Sequence, residues 1–287
     1  MPLFDLARVV VRGAGDLASG VAYRLMKAGF PVLMTELAKP YAVRLPVCYA
    51  MAVLYETVII EGIVARRADL TDLEAIHRLL SQGIIPVLVD PEGEVIRALQ
   101  PPIVVDCRMA KSNLGTAITD APLVVALGPG FRAGIDCHAV VETNRGHNLG
   151  RVYWRGEAEP DTGIPGKVDD RDYDRVLRAP IDGYVRQVKL PGQRVEQGQL
   201  VARIGEVPIF APISGVLRGL TDDDQVYAHQ GMKIGDIDPR GKREQAFTIS
   251  DKSLAIGGGV VEAVFTAPQL REVFLSASAS QADKQGG

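Results

Sequence analysis

Cysteine is scarce in this chain of 287 residues: Cys48, Cys107 and Cys137 stand alone, without a CxxC pair or zinc-ligand spacing. That excludes a disulfide frame and a structural zinc site, and the thiols are expected to be buried and free. Long apolar runs are missing too. The longest, "LPVCYAMAVLY" from Leu45 to Tyr55, falls well short of the roughly 20 residues that a membrane span needs. No basic stretch followed by a signal core opens the chain, so a cytoplasmic protein without a membrane partner is expected. Charge is equally unhelpful to nucleic acid: 32 basic against 35 acidic residues give a formal net charge of -3, with no electrostatic footprint for a polyanion. H-E-x-x-H, G-x-S-x-G and G-x-x-x-x-G-K-[ST] are all absent, which removes the usual support for metalloprotease, esterase and P-loop chemistry. Four histidines remain. His138 falls in an alternating run, His77 on a helix face and His229 in a turn, and none is placed convincingly as a catalytic base.

What the chain does have is alternation of strand-like and helical patterns in its first half. "ARVVVRG", a helix through Leu17, Val21, Leu25 and Ala28, and "FPVLMTE" make one βαβ unit. A second unit starts near "VIIEGIVARRAD" and runs through "TDLEAIHRLLSQG", where Thr71 and Glu74 match a capping box and Gly83 a stop, into "IIPVLVD". Further strands are expected at "PPIVVDCRM", "APLVVALG" and "DCHAVVETN". The fold class expected is α/β: a Rossmann-like parallel sheet domain over residues 1–160, followed by a small β-sandwich. Residues 161–175, dense in turn-formers and alternating charge, read as a linker. Beyond it "APIDGYV" at Ala179 returns as "APISGVL" at Ala211, a repeat of 32 residues, so 176–245 is expected as the β-domain. Residues 246–274 form a Gly-rich segment and helix, and 275–287 a disordered tail. In the Gly-rich segment, Gly257 to Gly259 precede a short apolar helix and serve either an anion or backbone packing.

The stretch "VVVRGAGDLASG" carries the main functional signal. Gly13, Gly15 and Ala18 fit G-x-G-x-x-G/A between a strand and a helix, and Glu36 ends the next strand where a ribose-binding acid belongs. Gly13 would allow the tight turn, Gly15 would let backbone amides, that of Ala14 among the expected binding residues, approach a pyrophosphate, and the small Ala18 would allow close helix packing. Asp16 opposes this reading. Unit charges ~6 Å apart repel by about 3 kcal/mol at an effective dielectric of ~20, against about 0.3–2 kcal/mol offered by a helix terminus. A bridging divalent cation, a carboxylate turned to solvent or an empty structural turn would each resolve the conflict. If a dinucleotide binds, Glu36 favours NAD over NADP.

Other polar clusters follow expected strands, where α/β proteins build their sites. Arg108, Lys111, Arg132 and Arg145 could form an anion-binding surface among the loops carrying Gly128 and Gly130, with Asn113 and Asn144 orienting a heterocycle or ribose. Each is also an ordinary loop residue, and their clustering is the argument for them. An NAD-dependent oxidoreductase, with His147 or Lys111 as proton donor, and a non-catalytic interaction scaffold stand as alternatives to a pure nucleotide binder.

"APIDGYV…LPGQRVEQGQLVARIG…FAPISGVL" resembles a biotinyl or lipoyl carrier domain. The hairpin tip "IGEVP", Ile204 to Pro208, holds no lysine, so no covalent biotin or lipoate is expected. Over nearly the whole chain, "VVVRGAGDLASGVAYRL", "VDCRMAKSNLGT", "ALGPGFRAG", "CHAVVETNRGH", "GMKIGDIDPRG" and "FTISDKSLAIGGGVVEA" resemble the selenium-dependent molybdenum hydroxylase system proteins, the YqeB family. The Gly-Ala-Gly turn and the Gly-Gly-Gly-x-x-Glu segment are also similar to features of XdhC-type molybdenum-cofactor chaperones, in a different order. The resemblance implies an accessory protein that matures or inserts a pterin-dinucleotide molybdenum cofactor for a client hydroxylase. It names neither a catalytic residue nor an oligomeric state.

Overall fold

The computed structural model describes Phe4 and residues 6–161, 175–222, 227–271 and 273–274. The linker expected at 161–175, apart from its two end residues, and the tail expected at 275–287 lie outside the described residues. Among those described, no helix is long and apolar enough to cross a membrane.

Four runs rich in β-branched residues are buried end to end: β1 (Val9–Arg12), β6 (Ile103–Asp106), β7 (Leu123–Leu127) and β9 (Ala139–Val141). Strands of that kind need cover on both faces. With β2 (Val32–Glu36), β3 (Thr57–Ile60), β4 (Ile63–Ala68), β5 (Ile85–Val89) and β10 (Val152–Tyr153) they form one nine-stranded sheet. Its order is β10-β9-β7-β6-β1-β2-β5-β4-β3. On one face, alternate residues Val9, Val11, Met34, Val105 and Val125 pack with α1 (Asp16–Lys27) and α5 (Asp251–Thr266). On the other, Val10, Leu33, Leu88 and Val104 meet α3 (Leu73–Ser81) and α4 (Glu94–Leu99).

The expected Rossmann-like parallel sheet followed by a β-sandwich is corrected by this topology. Among the described residues the protein is mixed α/β with four separate sheets. Both edges of the large sheet are antiparallel, β3 against β4 and β10 against β9. "VIIEGIVARRAD" is a hairpin rather than the start of a crossover unit, because Glu61 (φ 46°) and Gly62 (φ 82°) both take left-handed conformations between β3 and β4. No α-helix connects β6 to β7 or β7 to β9. That flank is covered instead by α5, which packs against β7, β9, β10 and α1 after the chain has passed through the β-region.

The smaller sheets use short strands. β8 (Arg132–Ala133) pairs with β11 (Gly156–Glu157). β12 (Val176–Arg178), β18 (Lys233–Asp238), β17 (Gly215–Leu220) and β14 (Arg194–Val195) form a four-stranded sheet. β13 (Val185–Gln187), β15 (Leu200–Ile204) and β16 (Val207–Phe210) form a three-stranded one. This β-region packs on the segment after β2 at Gly219, where an added Cβ would stand 2.6 Å from the Val43 carbonyl.

Two local expectations also change. α3 is capped by Asp72, whose carboxylate accepts from the Ala75 N–H at 2.8 Å, while Thr71 donates to Asp69. The shift by one residue lets the short Asp side chain reach N3. Asp72→Ala is expected to cost about 1 kcal/mol, read as a lower thermal midpoint, with Thr71→Ala costing less. Gly257 to Gly259 lie inside the 16-residue helix α5 rather than before it, and two of them serve packing. An added Cβ at Gly257 would come within 2.6 Å of the Gly20 carbonyl, and one at Gly259 would collide with the Gly150 carbonyl.

Candidate functional site

Seven strands run parallel in the sheet, β4, β5, β2, β1, β6, β7 and β9, and the connections that leave their C-terminal ends lie on one side of it. β1 sits between β2 and β6, all three parallel; the chain runs from β1 to β2 on one side and from β6 to β7 on the other, which makes the β1/β6 boundary a topological switch point. Such switch points are where open α/β sheets bind ligands. The turn from Gly13 to Gly15 occupies that point. Gly13 needs its glycine twice over: φ is +93°, and a Cβ would sit 3.2 Å from the Arg108 Cα. Gly15 needs it for neither reason, since φ is -70° and an added Cβ meets nothing within 4 Å. Gly15 is also the N-cap of α1 and supplies no side-chain cap. The first-turn amides from Asp16 to Ala18 therefore lack both an intrahelical acceptor and a side-chain cap.

The loops after β6, β7 and β9 pack on one another. Gly128 lies against Thr143 and Met109, and Gly130 against Lys111 and Ser112. Met109 (φ 54°) and Lys111 (φ 61°) are left-handed without being glycine, a strain of order 1–3 kcal/mol each that clusters at functional loops.

Glu36 binds the glycine turn directly. Its carboxylate accepts from the Ala14 N–H and the Leu37 N–H, both at 2.8 Å. Burial pushes its carboxyl up, and those two amides only partly pull it back. Asp16 points to the other side. Arg44, buried in the loop after β2, donates through one nitrogen to both Asp16 oxygens at 3.1 and 3.2 Å, and the Ser253 hydroxyl donates at 3.0 Å. Arg44 is held in turn by the carbonyls of Gln245 and Thr248. The charge that offsets Asp16 is thus a guanidinium, and among the described residues no group of three or more His, Cys, Asp or Glu is arranged to hold a metal ion.

The other residues expected at the site have internal partners. Arg108 clamps the buried Asp106 through Nε and Nη2, and Thr116 bridges Asp106 to both Arg108 and Arg12. Lys111 pairs with Asp161 at 2.6 Å, Arg132 with Glu157 at 3.9 Å, and Arg145 with Asp251 through two nitrogens. Asn113 binds Thr116 and Asp136, and Asn144 binds Glu159. The structure joins Ala14 to Glu36, Gly13 to the Arg108 backbone, and Gly130 to the Lys111 backbone. Ala18 is buried one turn into α1, Arg132 lies on β8, and Arg145 joins the loop after β9 to α5. Cys48, Cys107 and Cys137 are buried thiols, and burial pushes all three up, Cys137 to about 12. His138 accepts from the Val124 N–H, and burial lowers it. Arg44 and Ser253 escaped sequence reasoning, because their roles depend on contacts 28 and 237 residues away in the chain.

No protein-family model matches the chain. Among solved structures it is similar to the ectoine utilization protein EutE (DoeB) of Ruegeria pomeroyi, with 12% identity over 80% of this chain and 85% of that one, at a TM-score of 0.23. A succinylglutamate desuccinylase/aspartoacylase of Rhodobacter sphaeroides gives 14% identity over 80% and 84%, at 0.25. Overlaps at that level carry no argument about fold or chemistry. Sequence likeness is far stronger: the chain is similar to the uncharacterized protein YqeB of Escherichia coli (strain K12), 49% identical over 256 residues, or 89% of this chain, and it spans about half, 47%, of that relative's length.

Proposed function

We propose that the chain is an accessory protein that binds the nucleotide portion of a pterin-dinucleotide molybdenum cofactor in the crevice above β1, on behalf of a client molybdenum hydroxylase. The observation that carries this reading is Gly15, a glycine that neither backbone conformation nor internal packing requires, at an uncapped helix N-terminus on the switch point of the sheet. Space left free of a Cβ there suits close approach of a phosphate to the first-turn amides. Arg44 supports it by removing the repulsion that Asp16 would otherwise exert. Glu36 retains lone pairs for a ribose hydroxyl while holding the Ala14 amide, since each carboxylate oxygen can accept twice. When bound, the cofactor would supply the molybdenum chemistry to the client. This chain's own residues hold and orient its nucleotide end. The resemblance described above to the molybdenum hydroxylase system proteins supplies the cofactor class.

Titration of the full chain with cytidine and adenine dinucleotides tests the proposal. Gly15→Asp is expected to abolish binding, by about 100-fold or more, through charge and volume placed on the phosphate position. The same variant is expected to fold normally and to gain a few tenths of a kcal/mol, because Asp is a better N-cap than Gly. Indifference of the wild type to every nucleotide would sink the reading.

A further inference from the structure

The nine-stranded sheet ends in an open edge at β3, whose only neighbour in the sheet among the described residues is β4. Thr57 stands opposite Arg66, Val58 opposite Ala65, Ile59 opposite Val64 and Ile60 opposite Ile63, in a register without a bulge. The Glu56 carbonyl accepts from the Arg67 N–H at 2.9 Å, and bonded and non-bonded pairs alternate along an antiparallel ladder. Val58 and Ile60 therefore bond to β4, while the N–H and C=O groups of Thr57 and Ile59 point out of the sheet.

Proteins normally blunt such an edge with a lysine, a proline, a bulge or a covering element. The strand Thr-Val-Ile-Ile has neither charge nor proline. Ile59 is 65% exposed, more than any other large apolar side chain among the described residues. On the opposite face of the strand, half-buried Val58 continues a core that already holds Ile60. The edge thus offers main-chain hydrogen bonds and apolar surface together, which is what an added strand requires.

We infer that the added strand is β3 of a second copy of this chain, joined antiparallel about a two-fold axis at Val58. In this register Thr57 faces the partner's Ile59 and Ile59 faces the partner's Thr57, and each pair exchanges two main-chain hydrogen bonds. An axis at Thr57 would instead set Ile59 against the partner's Tyr55, in α2 (Ala52–Tyr55), and one at Ile59 would set Thr57 against the partner's Glu61, in the hairpin turn. Any shift by one residue aims outward groups at inward ones. The Val58 register opposes no like charges either. Glu56 falls opposite the partner's Ile60, and Arg66, beside Thr57, shares a row with the partner's Ile59 and Val64. A contact built on a four-residue strand is small beside a standard interface, so a weak dimer is expected, with a Kd of about 10–100 μM. It lies four strands away from β1 in the sheet order and does not depend on the Gly15 turn.

Sedimentation velocity of the full chain across about 1–500 μM tests the association. Ile59→Lys is expected to weaken it about 10-fold or more, by removing two cross-strand apolar contacts and charging the edge. Because Ile59 is exposed, the thermal midpoint of this variant's monomer should stay near that of the wild type. Cysteine substitution tests the register. In Val58→Cys the two introduced residues face each other across the axis with Cα atoms about 4.5 Å apart, so oxidised glutathione is expected to link the dimer covalently. In Ile59→Cys they are separated by about 8 Å, beyond disulfide reach, and little linked dimer is expected. The native thiols are buried and supply the background through the wild type treated in the same way. A wild type that stays monomeric throughout overturns the inference, including where the edge takes a strand from another protein instead. A dimer indifferent to Ile59→Lys, or linkage at Ile59→Cys equal to that at Val58→Cys, overturns it as well.

Discussion

Asp236→Ala is expected to destabilise the protein by about 3–5 kcal/mol, the cost of removing one partner from a buried ion pair and stranding the other. Asp236 is fully buried on β18, and its Oδ2 accepts from Arg175 Nη1 at 2.8 Å and from Arg218 Nη2. The side chains of Arg175 and Arg218 are themselves only 6% and 12% exposed. Without the carboxylate, two guanidiniums face each other in a core built for a triad. A thermal midpoint lower by roughly 10 °C is the expected readout. The same triad shapes the acid limb of stability. Burial alone would push the Asp236 carboxyl up, but Arg218, Lys233 and Arg175 together hold it down to about 2. Because the folded value lies below the unfolded one, the stabilisation is complete above the ordinary aspartate range and disappears as pH falls towards 2. The wild type and Asp236→Asn are therefore expected to differ most near neutrality and to converge at the acid end, as followed by urea melts across pH.

Gly257→Val is expected to be about as damaging, costing about 3 kcal/mol, by a different route. α1 and α5 approach so closely that a single Cβ at Gly257 would stand 2.6 Å from the Gly20 carbonyl and 2.9 Å from the Arg24 side chain. A branched side chain forces the helices apart, and overpacking in a filled interior costs typically 1–3 kcal/mol, more where backbone must move. One position along, Gly258 is exposed and an added Cβ meets nothing. Gly258→Ala is accordingly expected to stabilise by up to about 1 kcal/mol, as for any unneeded glycine inside a helix. Opposite signs at adjacent glycines in one denaturation series would show that close approach, rather than helix propensity, governs this segment.

The contrast also explains what the sequence made legible. β1, β2, β5, β6, β7 and β9 announce themselves as apolar, β-branched runs, because a strand covered on both faces has little room for polar residues. Asp72 was masked by a neighbouring Thr that fits the same capping pattern one residue early. The β3–β4 hairpin was missed because Glu61, which takes the first left-handed turn position, is not a residue that usually marks one. α5 was read as glycines followed by a helix because propensity penalises glycine, and only the packing against Gly20 and Gly150 shows why they are tolerated. At the crevice, Gly13, Gly15, Asp16 and Glu36 were legible as a local pattern. Arg44 and Ser253 were not, since each acts through contacts between distant segments.

The late arrival of α5 also has a bearing on biogenesis. Val125 and Val141 belong to the flank of the sheet that this helix shields, yet residues 251–266 emerge from the ribosome only after the whole β-region has been made. During that interval the nascent sheet exposes an oily face that chaperones and proteases can recognise. A shortened product ending ahead of Ser250 would keep that face open permanently, so the two halves of this protein cannot be separated by a single cut.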